Sequence, residues 1–129
     1  MSEKNRETVR KVNDALLKGN FEGFLDHCAD DVQWAILGEK TVKGKAAIRQ
    51  WMREMAAANP EPPKFTVADP IVAEGDFVVA RGDMTMKDKD GQPGQYSYCD
   101  FYRFRSGKIV ELNTFVIKTA PKTQASGNA

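Results

Sequence analysis

Tyr96–Ser97–Tyr98–Cys99–Asp100–Phe101–Tyr102–Arg103–Phe104–Arg105, followed by Ser106–Gly107–Lys108, reads as a strand running into a tight turn. Side chains in a strand alternate between two faces. Tyr96, Tyr98, Asp100, Tyr102 and Phe104 therefore share one face, and Arg103 and Arg105 lie on the other, which must be at least partly wet. Four of the five residues on the first face are aromatic and the fifth is a carboxylate. A buried carboxylate is costly unless it is paired or protonated. Asp100 is therefore either a hydrogen-bonded structural group or a functional one.

Working outward from this strand, Lys108–Lys118 alternates in the same way and closes a hairpin across Ser106–Gly107. Upstream, Phe65–Ala73, with a bend expected near Pro70, and Phe77–Lys87 have the same period of two. Asp88–Lys89–Asp90–Gly91 supplies the turn into Gln95–Arg105. Before residue 60 the period is helical. Val9, Val12, Ala15 and Leu16 stripe a helix over 5–18, ended by Gly19–Asn20. A short second helix is expected over Phe21–Ala29, with Phe24 and Cys28 on one side. Val32–Leu37 is a strand, and Gly38 and Gly44 bracket a turn holding Glu39, Lys40 and Lys43. Ile48, Trp51, Met52 and Met55 stripe a third helix over Lys45–Ala58, stopped by Asn59–Pro60; Pro62–Pro63 keeps the next stretch extended. Helices followed by antiparallel strands give an α+β fold, with helices covering one face of a curved sheet.

Composition narrows the function. A chain of 129 residues fits one domain, here 1–120, and can bury a core without disulfides or metal. The nearly neutral charge of +1 gives no nucleic-acid footprint. Cys28 and Cys99 lack CxxC spacing, so a reduced, cytoplasmic setting is expected. No apolar run is long enough to span a membrane. His27 is the only imidazole, so no metal is expected; beside an apolar stripe it is more often packed than catalytic. No glycine-rich phosphate loop precedes a helix, and no cofactor is expected. Residues 121–129 are small and polar and are expected to be disordered.

Three motifs together resemble the SnoaL-like branch of the nuclear-transport-factor-2-like superfamily, which includes ketosteroid isomerases and polyketide cyclases. They are Gly19–Asn20–Phe21 with Ala29–Asp30–Asp31–Val32–Gln33–Trp34, then Gly38 with Gly44–Lys45–Ala46–Ala47–Ile48, then Asp100–Phe101–Tyr102–Arg103–Phe104 with Gly107–Lys108–Ile109–Val110. The resemblance covers roughly residues 8 to 117. It implies a cone-shaped fold, in which the sheet wraps a helix around a deep apolar pocket, and often a homodimer. It also implies site residues. The proton-moving aspartate of ketosteroid isomerases aligns at or near Ala35, the first-helix tyrosine at Val12, and the late-strand protonated acid with Asp100. One of three roles is present, which argues against steroid isomerisation by that route. Limonene epoxide hydrolases, also similar in fold, use an Arg and Asp two apart on a strand. Arg81–Gly82–Asp83 has that spacing but aligns one residue out of register, and the third acid aligns with Thr114. An exposed ion pair on the outer sheet face is the preferred reading.

With Asp100 inward, alternation sends Tyr98, Tyr102, Val110, Leu112, Thr114 and Val116 inward, and Val78, Ala80, Gly82, Met84 and Met86 with them. Arg81, Asp83, Phe101 and Phe115 face out. Trp34, Trp51 and Met55 are expected to close the pocket alongside Met84, Tyr98, Tyr102, Leu112 and Thr114, with Asp100 as the candidate catalytic residue. The expected partners are a small apolar or aromatic molecule and a second copy of the chain. Three classes stay open: an isomerase- or cyclase-type enzyme, a non-catalytic ligand-binding protein, and an association module.

Overall fold

A computed structural model of the chain describes residues 2–59, 64–88 and 90–119. Its elements are α1 (Ser2–Leu17), α2 (Phe21–Leu25), β1 (Cys28–Ile36), β2 (Lys40–Lys43), α3 (Lys45–Ala58), β3 (Lys64–Glu74), β4 (Phe77–Lys87), β5 (Pro93–Arg105) and β6 (Lys108–Lys118). The expectations for residues 121–129, for Pro60, Pro62 and Pro63, and for Lys89 lie outside the described residues. Among those residues no helix is long and apolar enough to cross a membrane.

The six strands form one curved, unclosed sheet in the order β2-β1-β6-β5-β4-β3, an α+β cone. Strands β3 to β6 are the expected meander. The β5–β6 turn has Ser106 at φ 51° and Gly107 at φ 79°, the two left-handed positions that a two-residue hairpin demands. Pairing of β3 with β4 breaks register between Ala68 and Val72, around Pro70, which has no N–H to give the ladder. One pairing departs from the antiparallel expectation: β1 runs parallel to β6, with Trp34 opposite Leu112 and Ile36 opposite Thr114. The expected turn between Gly38 and Gly44 contains β2, which pairs antiparallel with β1 and forms one sheet edge.

The second helix is shorter than its sequence suggests. It ends at Leu25, and Cys28 and Ala29 already belong to β1. Sheet pairing outcompetes the helical spacing of Phe24 and Cys28; Ile109 N–H bonds the His27 carbonyl at 2.9 Å and the Cys28 thiol still donates to the Phe24 carbonyl at 3.5 Å. Asn20 caps the start of α2 by accepting from Gly23 N–H at 3.0 Å. Arg49 on α3 grips Glu22 on α2 at 2.8 and 3.1 Å.

The helices divide the concave face between them. Helix α1 packs on β3 and β4, and α3 packs on β1 and β2. The short α2 bridges α1 and α3. Val9 and Val12 of α1 and Ile48 and Met52 of α3 share one buried core with Tyr102 and Phe104 of β5 and Ile109 and Leu112 of β6, the middle of the sheet. The narrow end of the cone is filled by Phe24, Leu25, Val78, Tyr102, Phe104 and Ile109, all nearly or fully buried.

One backbone contact requires glycine. Tyr98 Oη donates to the Thr66 carbonyl at 2.9 Å and so spans β4 from β5 to β3. It passes directly over Gly82, where a Cβ would overlap the Thr66 oxygen and lie 2.7 Å from Tyr98 Oη. Gly82→Ala should therefore cost about 2–3 kcal/mol, through backbone displacement rather than lost burial. Urea unfolding of the two proteins checks this, and an unchanged midpoint would contradict the described approach.

Candidate functional site

Alternation on β5 places Asp100 on the concave face between buried Tyr98 and Tyr102. Toward the narrow end, Tyr102 and Phe104 are essentially inaccessible; toward the other end Tyr96 is half-buried, and Asp100 itself retains some accessible surface. Its strand partners are Ala80 on β4 and Thr114 on β6. Neither carries a charge, and among the described residues no cation acts on the carboxyl.

Thr114 Oγ1 donates to Asp100 Oδ1 at 2.8 Å. The same oxygen accepts from Trp34 Nε1 at 2.8 Å. Trp34 is held edge-on by Phe24, with ring centroids 5.5 Å apart, and by Trp51 at 5.0 Å. Lys40 Nζ lies 5.4 Å from the Trp51 ring centre. A line of contacts thus runs from the edge hairpin, through two indoles and a hydroxyl, to the carboxylate.

Burial pushes the Asp100 carboxyl up to about 6, while the Thr114 hydrogen bond pulls the other way. At neutral pH the group is mainly ionised, with an accessible protonated form. That position suits an acid–base group working near neutrality. The phenols beside it are neutral: burial raises Tyr98 and, more strongly, Tyr102, and the Asp100 charge adds to both shifts. Tyr102 Oη is buried without a protein partner among the described residues. Tyr98 donates to Thr66 instead.

The structure gathers most of the expected set. Asp100, Tyr98, Tyr102, Leu112 and Thr114 share the concave face, with half-buried Trp34, Trp51 and Met84 around them. Met55 does not join: it is 43% exposed, because the last turns of α3 from Arg53 onward project past the packed layer. Two open recesses lie elsewhere. One of about 290 Å³ is at the β1–β2 turn around Gly38, and one of about 250 Å³ is between α1 and β3, lined by Asn13, Val67 and Ile71. His27 sits in the turn before β1, and burial together with Lys108 and Lys11 lowers its pKa. Cys28 is buried and its thiol is pushed up to about 12, so it is not a nucleophile. Val12 is fully buried in the core. Ala35 alternates away from Trp34 and Ile36. Arg81 and Asp83 are exposed on the outer face, where Ser97 Oγ donates to Asp83 at 3.0 Å.

The Trp34–Thr114 hydrogen bond was not legible in the sequence, because it depends on the parallel pairing of β1 with β6. The available signal was the inward alternation of Val32, Trp34 and Ile36.

Comparison with known proteins agrees with this architecture. Residues 9–112 match the SnoaL-like domain. An NTF2-like protein of unknown function from Cytophaga hutchinsonii is 25% identical, with a TM-score of 0.72 over 87% of this chain and 98% of that one. A ketosteroid isomerase-like structure from Kribbella flavida is 20% identical, with a TM-score of 0.76 over 93% and 82%. TerC, co-crystallised with polyporic acid, is 19% identical, with a TM-score of 0.74 over 97% and 96%. No curated protein matches the chain significantly.

The Asp100 environment sets a pH dependence with a definite sign. Its folded value of about 6 lies above the ordinary 3.8. The unfolded chain therefore ionises first, and stability falls as pH rises from about 4 to about 6, then stays level. The full loss is on the order of 3 kcal/mol. Asp100→Asn keeps an acceptor for Thr114 and removes the titration. It should match the wild type near pH 4 and be more stable at pH 8, as read from unfolding curves at both values. A mutant weakened more at pH 8 than at pH 4 would show that the fold prefers the ionised carboxylate.

Proposed function

The chain belongs to the SnoaL-like domain family, and on that premise we propose that it takes a small apolar or aromatic molecule bearing a carbonyl group against Asp100. The observation that carries this reading is the position of Asp100: a largely buried carboxyl, raised to about 6, on the concave face of the sheet, held by a single hydrogen bond from Thr114 and paired with no cation among the described residues. Apolar walls supply affinity, and one polar group supplies orientation. The likeness in fold to TerC, crystallised with polyporic acid, lends support to an occupant of this kind.

The chemistry that fits is isomerase- or cyclase-type proton transfer. Ionised Asp100 takes a proton from carbon next to a carbonyl, and the resulting acid returns it at another atom. One carboxyl used twice needs no second ionisable group. A non-catalytic binding protein is the second reading. It is favoured by apolar Val12 and by Ala35, which alternates away from the concave face; the resemblance aligns the other two groups of the ketosteroid isomerase pattern at Val12 and at or near Ala35.

A panel of flat aromatic and polyketide-like carbonyl compounds tests the site. A ligand should quench Trp34 or Trp51 fluorescence and, at a hundredfold over its Kd, add about 2.7 kcal/mol of stability. Asp100→Asn should abolish any turnover. With no response in either signal across the panel, the reading fails.

The outer sheet face supports a homodimer. Val72, Phe77, Phe115 and Ile117 are exposed there at 55%, 43%, 47% and 66%, and the Phe77 and Phe101 rings lie 5.4 Å apart. Large apolar side chains exposed together on one sheet face favour burial against a partner. Light scattering should give twice the 14.4 kDa chain mass, and Phe115→Asp should shift the protein toward monomer. A wild type that is monomeric at micromolar concentration would refute the dimer.

A further inference from the structure

We propose that Trp34 and Thr114 are positioning residues for Asp100: the indole fixes the direction of the Thr114 hydroxyl, which occupies Oδ1 and leaves Oδ2 as the oxygen presented to a ligand. This rests on the reading of Asp100 as the ligand-facing acid.

The argument is one of donor counting. An indole N–H can only donate, and a threonine hydroxyl has one proton to give. Trp34 Nε1 stands 2.8 Å from Thr114 Oγ1, so that oxygen accepts there. Its single proton is then free for Asp100 Oδ1, also at 2.8 Å. The chain of bonds can run only one way, from Trp34 through Thr114 to Asp100. Without Trp34, the hydroxyl could rotate to other acceptors. The indole cannot swing away readily, because Phe24 and Trp51 meet it in edge contacts. A proton arriving from a substrate is thereby directed to Oδ2. Protonation there makes Oδ1 a neutral carbonyl oxygen and weakens the bond from Thr114, since charge-assisted hydrogen bonds are the stronger ones. The change passes along the chain, so the Trp34 N–H senses the charge on Asp100.

Few other groups compete for this role. Tyr98 and Tyr102 face Asp100 from its own strand, and Cys28 of β1 lies near Tyr102. The neighbouring strands contribute Ala80, Gly82, Leu112 and Val116, none of which titrates.

The test is carried out without ligand, so its result is independent of whether any compound in the panel binds. Carbon-13 NMR follows the Asp100 carboxyl from pH 4 to pH 8, and nitrogen-15 NMR follows the Trp34 indole. The chain has two tryptophans, and Trp51→Phe assigns the signals. In the wild type both nuclei should titrate with one midpoint, and the indole response should vanish in Asp100→Asn. Thr114→Val should raise the carboxyl midpoint by about one pH unit and uncouple the indole from it. Thr114→Ser should restore both behaviours, and Trp34→Phe should raise the midpoint by less than Thr114→Val does. An indole that stays flat while the carboxyl titrates would overturn the proposal. So would an unchanged carboxyl midpoint in Thr114→Val. If Thr114→Val does not fold, the comparison of wild type with Asp100→Asn decides alone.

Discussion

The β5–β6 hairpin register is the constraint from which the site follows. Ser106 and Gly107 complete the turn in left-handed conformations, and a bulge between Arg103 and Phe104 absorbs one residue. From there the ladder pairs Tyr102 with Leu112, Asp100 with Thr114, and Tyr98 with Val116. A slip of one residue would turn every side chain of β5 over. Asp100 would enter solvent, and Phe101 and Arg103 would enter the core. The apolar residues on the concave face enforce the register, and a single carboxylate is carried inward with them. Its desolvation is the cost of that placement, and the Thr114 hydroxyl offsets part of it.

Local pattern accounted for much of this. The alternation of Tyr96 to Phe104 and the turn at Ser106–Gly107 involve residues close in the chain, and they were sufficient to turn Asp100 and Thr114 to the same face; their direct pairing needs the bulge between Arg103 and Phe104. The stripe of Ile48, Trp51 and Met52 likewise gave α3 its extent. What escaped sequence reading depends on distant partners. The position of β1 beside β6, and parallel to it, is set by packing between segments some eighty residues apart. The Trp34–Thr114 contact exists only because of that placement. Residues Phe21 to Ala29 carry a helical spacing, yet the chain leaves the helix at Leu25 because β6 offers Cys28 a pairing partner. Met55 has the helical phase of a core residue, but it sits beyond the reach of the sheet.

Membership of the family fixes the architecture and leaves the chemistry to individual side chains, as is general for widely used folds. In this chain the interior acid is hydrogen-bonded by Thr114 and is not paired with a second carboxylate among the described residues. What surrounds Asp100 instead is a hydroxyl, an indole and two neutral phenols. That environment raises its pKa to about 6 through burial, with the Thr114 hydrogen bond opposing the shift.

The unclosed sheet also has two free margins, and their composition governs how copies of the chain can meet. One margin, β2, is four residues long and carries Lys40 and Lys43. The other, β3, is interrupted around Pro70 and begins at Lys64. Short length, lysine and proline all discourage a strand from another molecule from adding to an edge. Edge addition propagates without limit and leads to fibres, whereas contact between matching faces closes after two copies. With its margins blunted, the sheet presents its exposed apolar side chains Phe77, Phe115 and Ile117 on a face rather than along an edge, so the pairing proposed above would close where strand addition would not.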